Sequence, residues 1–194
     1  MTITPFPNKK YKIILADPPW EYFLYKKQDS GSTANKHYDT LNIDEIKKLP
    51  IQKITDDDCI LFLWGTWPNL QECLDVIKAW GFKYKTIGFN WIKTNPTNAK
   101  CFFGMGHYTK SNSEFCLIAT KGKTTIINNK ISSIIHSSIQ KHSKKPDIVR
   151  QKIVQLCGDL PRIELFARTR IHNWDTWGND EKLNNQPLEA FTNA

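Results

Sequence analysis

Three apolar runs stand out along this chain: Ile13-Ile14-Leu15-Ala16, the unbroken Cys59-Ile60-Leu61-Phe62-Leu63-Trp64, and Ile163 to Phe166 with Glu164 as its one charge. Runs this short and this continuous predict strands covered on both faces. Between them the spacing turns helical. Leu70, Cys73, Leu74, Ile77 and Trp80 share one face of a helix that opens at Pro68 and closes at Gly81. Val149, Ile153, Leu156 and Cys157 share a face of a second, Asp147 to Cys157, which follows Pro146 and ends at Gly158. A shorter helix, Ile43 to Leu49, starts at Asn42 with Glu45 in the capping-box position and stops at Pro50. Strands are predicted at Lys12–Ala16, Cys59–Trp64, Phe82–Lys93 (kinked at Gly88), Glu114–Thr120, Thr124–Asn128, Ile131–Ser137 and Arg162–Phe166, with a turn at Lys121-Gly122-Lys123. Strands alternating with helices predict an α/β sandwich with a largely parallel sheet, whose ligands collect beyond the carboxyl ends of the strands.

Two stretches have no periodicity. Residues 21–41 are polar but carry Tyr22, Phe23, Tyr25 and Tyr38, and residues 94–113 carry Gly104-Met105-Gly106-His107-Tyr108. Loops this long in a compact domain are usually functional or disordered, and the aromatics of 21–41 argue against a purely solvating loop. The whole reads as one domain, residues 11–182, with a loose lead-in at 1–10 and a polar tail at 183–194.

Composition narrows the function classes. There is no apolar run of 18 residues and no signal-peptide core, so an intracellular protein is expected. The five cysteines are widely spaced without a C-x-x-C pair, which argues against zinc; Cys59, Cys73, Cys116 and Cys157 lie in apolar segments and read as core thiols. The net charge of +8 is concentrated: residues 83–153 hold thirteen Lys or Arg against only Glu114 and Asp147. Such a local excess points to a polyanion partner, nucleic acid above all.

The chemistry begins where the first strand ends, in Asp17-Pro18-Pro19-Trp20. Each proline fixes its φ near −65°, and Pro19 keeps Pro18 out of the helical region, so an acid and a carbonyl leave the strand on a stiff corner. This tetrapeptide resembles the acceptor motif of amino-group methyltransferases. In the variant ending in Trp it resembles the adenine-N6 family of the catalytic subunit of the eukaryotic messenger-RNA methyltransferase, the MT-A70 family, and its prokaryotic and phage relatives. The resemblance runs from about Lys12 to Asp180 and includes Cys59 to Trp64, Gly104 to Glu114, His142-Ser143-Lys144-Lys145-Pro146, Phe166-Ala167-Arg168-Thr169-Arg170 and Trp174 to Asp180.

It implies a three-layer Rossmann-like fold, circularly permuted so that the acceptor motif precedes the cofactor motif, and S-adenosyl-L-methionine as methyl donor with no metal. Asp17, Pro18, Pro19 and Trp20 would form the catalytic corner. Asp17, Lys145, Glu164, Phe166, Arg168, Asn179 and Asp180 would hold the cofactor, although Asp180 is shorter than the Gln or Glu usual there. Tyr38, His107, Tyr108 and Glu114 would meet the substrate, and Trp174 and Trp177 read as core packing. Family members often pair, so a homodimer or heterodimer is expected. DNA is favoured as substrate; RNA, cytosine N4 as the target, and a catalytically inert subunit that binds nucleic acid or a partner are the alternatives.

Overall fold

A computed structural model describes residues 5–20, 42–140 and 144–178. Tyr38, Asn179, Asp180, His142, Ser143, the 21–41 loop and the tail lie outside these residues. Seven strands, β1 (Tyr11–Ala16), β2 (Thr55–Gly65), β3 (Lys83–Thr94), β4 (Ser113–Lys121), β5 (Ile134–Ser138), β6 (Arg162–Leu165) and β7 (Asp175–Trp177), form one sheet in the order β5-β3-β4-β2-β1-β6-β7. Helices α1 (Ile43–Lys48) and α2 (Leu70–Ala79) cover one face, and α3 (Ile148–Cys157) covers the other.

Alternation along the strands builds the three layers. Ile14, Ala16, Leu61, Leu63, Phe115, Leu117, Ile163 and Leu165 pack towards α1 and α2, against Ile46, Cys73, Val76 and Ile77. Their neighbours Ile13, Leu15, Ile60, Phe62, Trp64 and Cys116 pack towards Val149, Ile153 and Cys157 of α3. The central strands are therefore apolar throughout because both faces are covered. The predicted core thiols Cys59, Cys73, Cys116 and Cys157 are all buried. Burial pushes the Cys59 and Cys157 thiols up to about 12, which leaves them unreactive.

Local signals hold where their partners are close in sequence. Asn42 and Glu45 form a complete capping box, with both bonds at 2.9 Å. Gly81 and Gly158 end α2 and α3 at φ of +79° and +92°. Gly88 marks a bulge, since the β3–β4 register shifts between Ile87 and Phe89 and a Cβ there would come 2.8 Å from Ile118 Cγ1.

The sheet is largely parallel, as expected: β1 pairs in parallel with β2 and β6, β6 with β7 and β3 with β5, and β4 alone among the described strands is reversed, running antiparallel to both β2 and β3. Three expectations need correction. Thr124–Asn128 is not a strand. The N–H groups of Ile127 and Asn128 turn instead to the Leu156 carbonyl, satisfying the end of α3. Pro68 lies in a 3₁₀ turn, Trp67–Asn69, that rotates the buried stripe of α2, so Val76 is buried and Leu70 is exposed. Residues 5–10 are not loose: Phe6 stacks on Trp177 at 4.5 Å and Lys9 meets Asp175 at 2.7 Å.

Gly65 ends β2 against packed side chains, where an added Cβ would run into Cys73 Sγ and lie 2.7 Å from the Phe115 ring. G65A is expected to destabilise by about 2 kcal/mol through overpacking and lower the Tm by about 6 °C. A calorimetric melt checks this.

Candidate active site

Strand direction decides what meets at the carboxyl end of the sheet. Ala16 of β1 pairs with Leu63 of β2 and Leu165 of β6, so Asp17 emerges beside the ends of both neighbours. Because β4 is antiparallel, with Phe115 opposite Gly65, its first residues Ser113 and Glu114 arrive at the same end. β3 runs parallel to β2, and its Trp91 pairs with Glu114, so Lys93 arrives there too. The chain entering α3 brings Lys145 across them.

The four side chains form one chain of alternating charge. Lys145 Nζ lies 2.9 Å from Asp17 Oδ2 and 3.2 Å from Glu114 Oε2, and Lys93 Nζ donates to Glu114 Oε1 at 2.6 Å. All are largely buried. Trp64 forms the floor, with Lys145 Nζ 5.8 Å from its ring centroid. The corner is fixed from beneath: the Trp20 indole donates to the Trp64 carbonyl at 3.0 Å, and the Trp20 N–H donates to the Pro18 carbonyl at 2.8 Å. One lone pair of the Pro18 oxygen remains for a further donor.

Burial raises the Asp17 pKa, with the Glu114 charge adding to it, against the pull of Lys145 and Arg168. Burial works the same way on Glu114, but Lys145 and Lys93 overcome it and hold that carboxyl below its usual range. Lys145 is driven down by burial and up more strongly by Asp17 and Glu114, so it stays protonated. The site thus pairs a firmly ionised cation with a comparatively basic carboxylate, Asp17.

The other predicted residues divide. Phe166, at φ +61°, packs edge-on against Trp177 at 5.5 Å, a strained turn next to Asp17. Arg168 is exposed, with its charge felt at Asp17. Glu164 faces α3, where Arg150 donates to its carboxylate through Nε and Nη2 at 2.7 and 2.8 Å. Trp20 is only 6% exposed and belongs to the core. His107 and Tyr108 contact each other edge-on at 4.7 Å on the outer part of their loop, where Tyr108 is 94% exposed. Trp174 and Trp177 are buried as expected. Lys93 and Trp64 were missed; they sit in strand patterns, and only the cross-strand register shows what they face. The basic stretch is dispersed as well. Lys83, Lys85, Lys121 and Lys123 lie toward the opposite end of β3 and β4, whereas Lys100 and Lys110 lie in the loop at the Asp17 end.

The arrangement suits a zwitterionic amino-acid group, with a carboxylate (Asp17) for its ammonium and an ammonium (Lys145) for its carboxylate, side by side and partly desolvated. That donor set fits the methionine end of S-adenosyl-L-methionine. Among the described residues no cluster of His, Cys, Asp and Glu could hold a metal ion, and no helix is long and apolar enough to cross a membrane.

Comparison with known proteins agrees with this chemistry. The MT-A70 family model matches residues 11–180. A type II methyltransferase, M.MunI of Mycoplasma sp, is 37% identical over 191 residues, covering 89% of this chain and 78% of its own length. The human N(6)-adenosine-methyltransferase catalytic subunit METTL3 is 30% identical over 174 residues, covering 88% of this chain, which spans 28% of that protein. The Drosophila melanogaster MT-A70-like protein is also 30% identical, with 27% of its length spanned.

Lys145 holds two buried carboxylates, so removing its charge leaves Asp17 uncompensated and Glu114 with Lys93 as its one close cation. K145M is expected to cost about 3 kcal/mol at pH 7.5. Without Lys145 the Asp17 carboxyl, already raised by burial, loses its main counter-charge, so the penalty shrinks as the pH falls towards 5 and it takes up a proton. In the wild type the sign is opposite for Glu114: its depressed pKa contributes stability above the unfolded value and loses it as the pH falls through the folded one. Urea titrations of both proteins at pH 7.5 and 5 check the crossing trends.

Proposed function

The chain belongs to the MT-A70 family, and from that premise we propose that it transfers a methyl group from S-adenosyl-L-methionine to N6 of adenine in DNA. The observation that carries this reading is the buried Asp17–Lys145–Glu114 cluster beside a Pro18 carbonyl of fixed direction.

S-adenosyl-L-methionine supplies an electrophilic methyl group on a sulfonium. Asp17 and Lys145 would take its amino-acid end, and Arg168, Asn179 and Asp180 its adenosine end. The exocyclic amine of adenine is a poor nucleophile because its lone pair is delocalised into the ring. Asp17 and the second lone pair of the Pro18 carbonyl accept its two hydrogens and favour a more pyramidal nitrogen. The prolines hold both acceptors in place, so the preference exists before the base arrives. Methylated once, the amine would have one proton to shed. Asp17, whose pKa burial raises, is the nearest base for it. Glu114 lies on the acceptor side, and the resemblance gives Tyr38 a contact to the incoming base. A target adenine in a duplex must be flipped out to reach this corner, and Lys100 and Lys110 are placed to hold the flanking phosphates.

The choice of DNA rests on proportion. A relative whose length this chain mostly covers is named a type II methyltransferase, whereas two named for adenosine, a ribonucleoside, are spanned over about a quarter of theirs. The permuted order, acceptor corner first and cofactor turn last, accords with β1 and β6 being neighbours in the sheet.

Incubation with tritiated S-adenosyl-L-methionine and separate DNA and RNA pools, followed by nucleoside mass spectrometry, is expected to yield N6-methyldeoxyadenosine. Label found only in ribonucleosides would reassign the polymer, and label in cytosine the base. D17A is expected to lower transfer by at least about 10²-fold. K145A is expected to weaken S-adenosylhomocysteine binding by about tenfold in calorimetry, and unchanged affinity would refute the carboxylate role of Lys145.

A further inference from the structure

One large aromatic at the site's end of the sheet has no part in the chemistry above. Trp67 follows β2 by two residues and is 48% exposed, in a chain whose Trp20, Trp64, Trp80, Trp91, Trp174 and Trp177 are all buried. It is not loose. Its indole N–H donates to Ser113 Oγ at 2.9 Å, and its ring meets the buried Phe115 ring edge-on at 5.0 Å. Ser113 and Phe115 are the two neighbours of Glu114 on β4, and strand alternation turns them to the face opposite Glu114. Trp67 therefore stands beside the mouth on the α2 side, across the end of β4 from the acidic and basic cluster. Two anchors fix the plane of the ring, one polar and one aromatic. No charged residue occurs between Cys59 and Gln71, so the exposed part of the ring lies in an uncharged stretch.

From this we infer that Trp67 is a base-stacking subsite, taking the nucleobase that neighbours the methylated adenine. The inference rests on the nucleic-acid reading above and adds a contact to it. When an adenine leaves the stack, the adjacent base loses a stacking partner; a pre-oriented indole at the rim replaces it. Stacking is indifferent to base identity, so Trp67 contributes affinity and positioning without a recognition sequence of its own. The hydrogen bond to Ser113 couples this subsite to Glu114 through one peptide unit.

The test uses random-sequence single-stranded and duplex DNA 20-mers with a fluorescent label. Anisotropy gives the Kd, and tritium transfer gives KM and kcat. W67A is expected to raise the Kd and KM for DNA by about tenfold, the scale of one stacked base, while S-adenosylhomocysteine binding stays at the wild-type value. W67F, which keeps a π-face, is expected to recover most of the loss. S113A keeps the ring but frees its plane and is expected to fall between, which guards against a folding defect in W67A. Wild-type DNA affinity in W67A, or W67F as weak as W67A, overturns the proposal. If DNA binding depends on Trp67 but the wild type transfers no methyl group, the subsite stands and the methyl-transfer reading falls. If the wild type binds no DNA, both fall.

Discussion

The ammonium of Lys145 is the interaction on which the working end of this fold depends. It bridges Asp17 at the end of β1 and Glu114 at the start of β4, and Glu114 is tied in turn to Lys93 near the end of β3. Four elements are thereby joined by charges largely out of water. Such a network is a poor way to gain stability, because desolvating each ion costs several kcal/mol and apolar side chains of similar volume would serve as well. Its cost is limited here by alternation of sign: each interior ion touches two of opposite charge, and the set of four is neutral. The alternation also explains why the directions of the pKa shifts differ. Glu114 and Lys145 have two partners each and remain ionised, whereas Asp17 has one close partner and a like charge nearby, so burial wins.

That network needs the one departure from a parallel sheet. Were β4 parallel to β2, its first residues would start at the amino end and Glu114 would lie a full strand length from Asp17. The antiparallel insertion puts a strand beginning among strand ends, and β3, antiparallel in turn, restores the direction that brings Lys93 back. The packing does not register the reversal. Phe115, Leu117 and Ala119 alternate with Cys116 as the residues of a parallel strand would, so each face keeps its core.

This also marks how far the sequence could be read. Layering, helix ends, the bulge at Gly88 and the capping box at Asn42 were legible, because the residues that determine them lie within a few positions of one another. Strand direction was not, since alternation is the same either way along a strand. The site was legible where a residue's chemistry is carried by its neighbours in sequence, as with Asp17 between an apolar strand and two prolines. Lys145 was legible only through resemblance, for a Lys-Lys-Pro is common on surfaces. Lys93 and Trp64 were invisible because nothing within ten residues of either announces its partner. Glu164 drew its cofactor role from resemblance alone, and its partner in the fold, Arg150, lies on a helix fourteen residues earlier where no sequence spacing announces it. Tyr38, Asn179 and Asp180 lie outside the described residues, so their assigned roles rest on resemblance.

On the proposed reading, the same alternation explains how a site that is internally paired can still receive a ligand. An isolated buried ion pair resists opening, since separating it strands two charges. Here the amino-acid end of a methyl donor carries one charge of each sign. Its ammonium can replace Lys145 beside Asp17 while its carboxylate replaces Asp17 beside Lys145, and the net charge of the buried region is unchanged. Glu114 keeps Lys93 throughout, so its second oxygen can turn from Lys145 to the incoming base without the carboxylate losing its counter-ion. The closed cluster is therefore a set of charges already oriented for exchange, and the reorganisation left for binding is small compared with assembling the same groups from water.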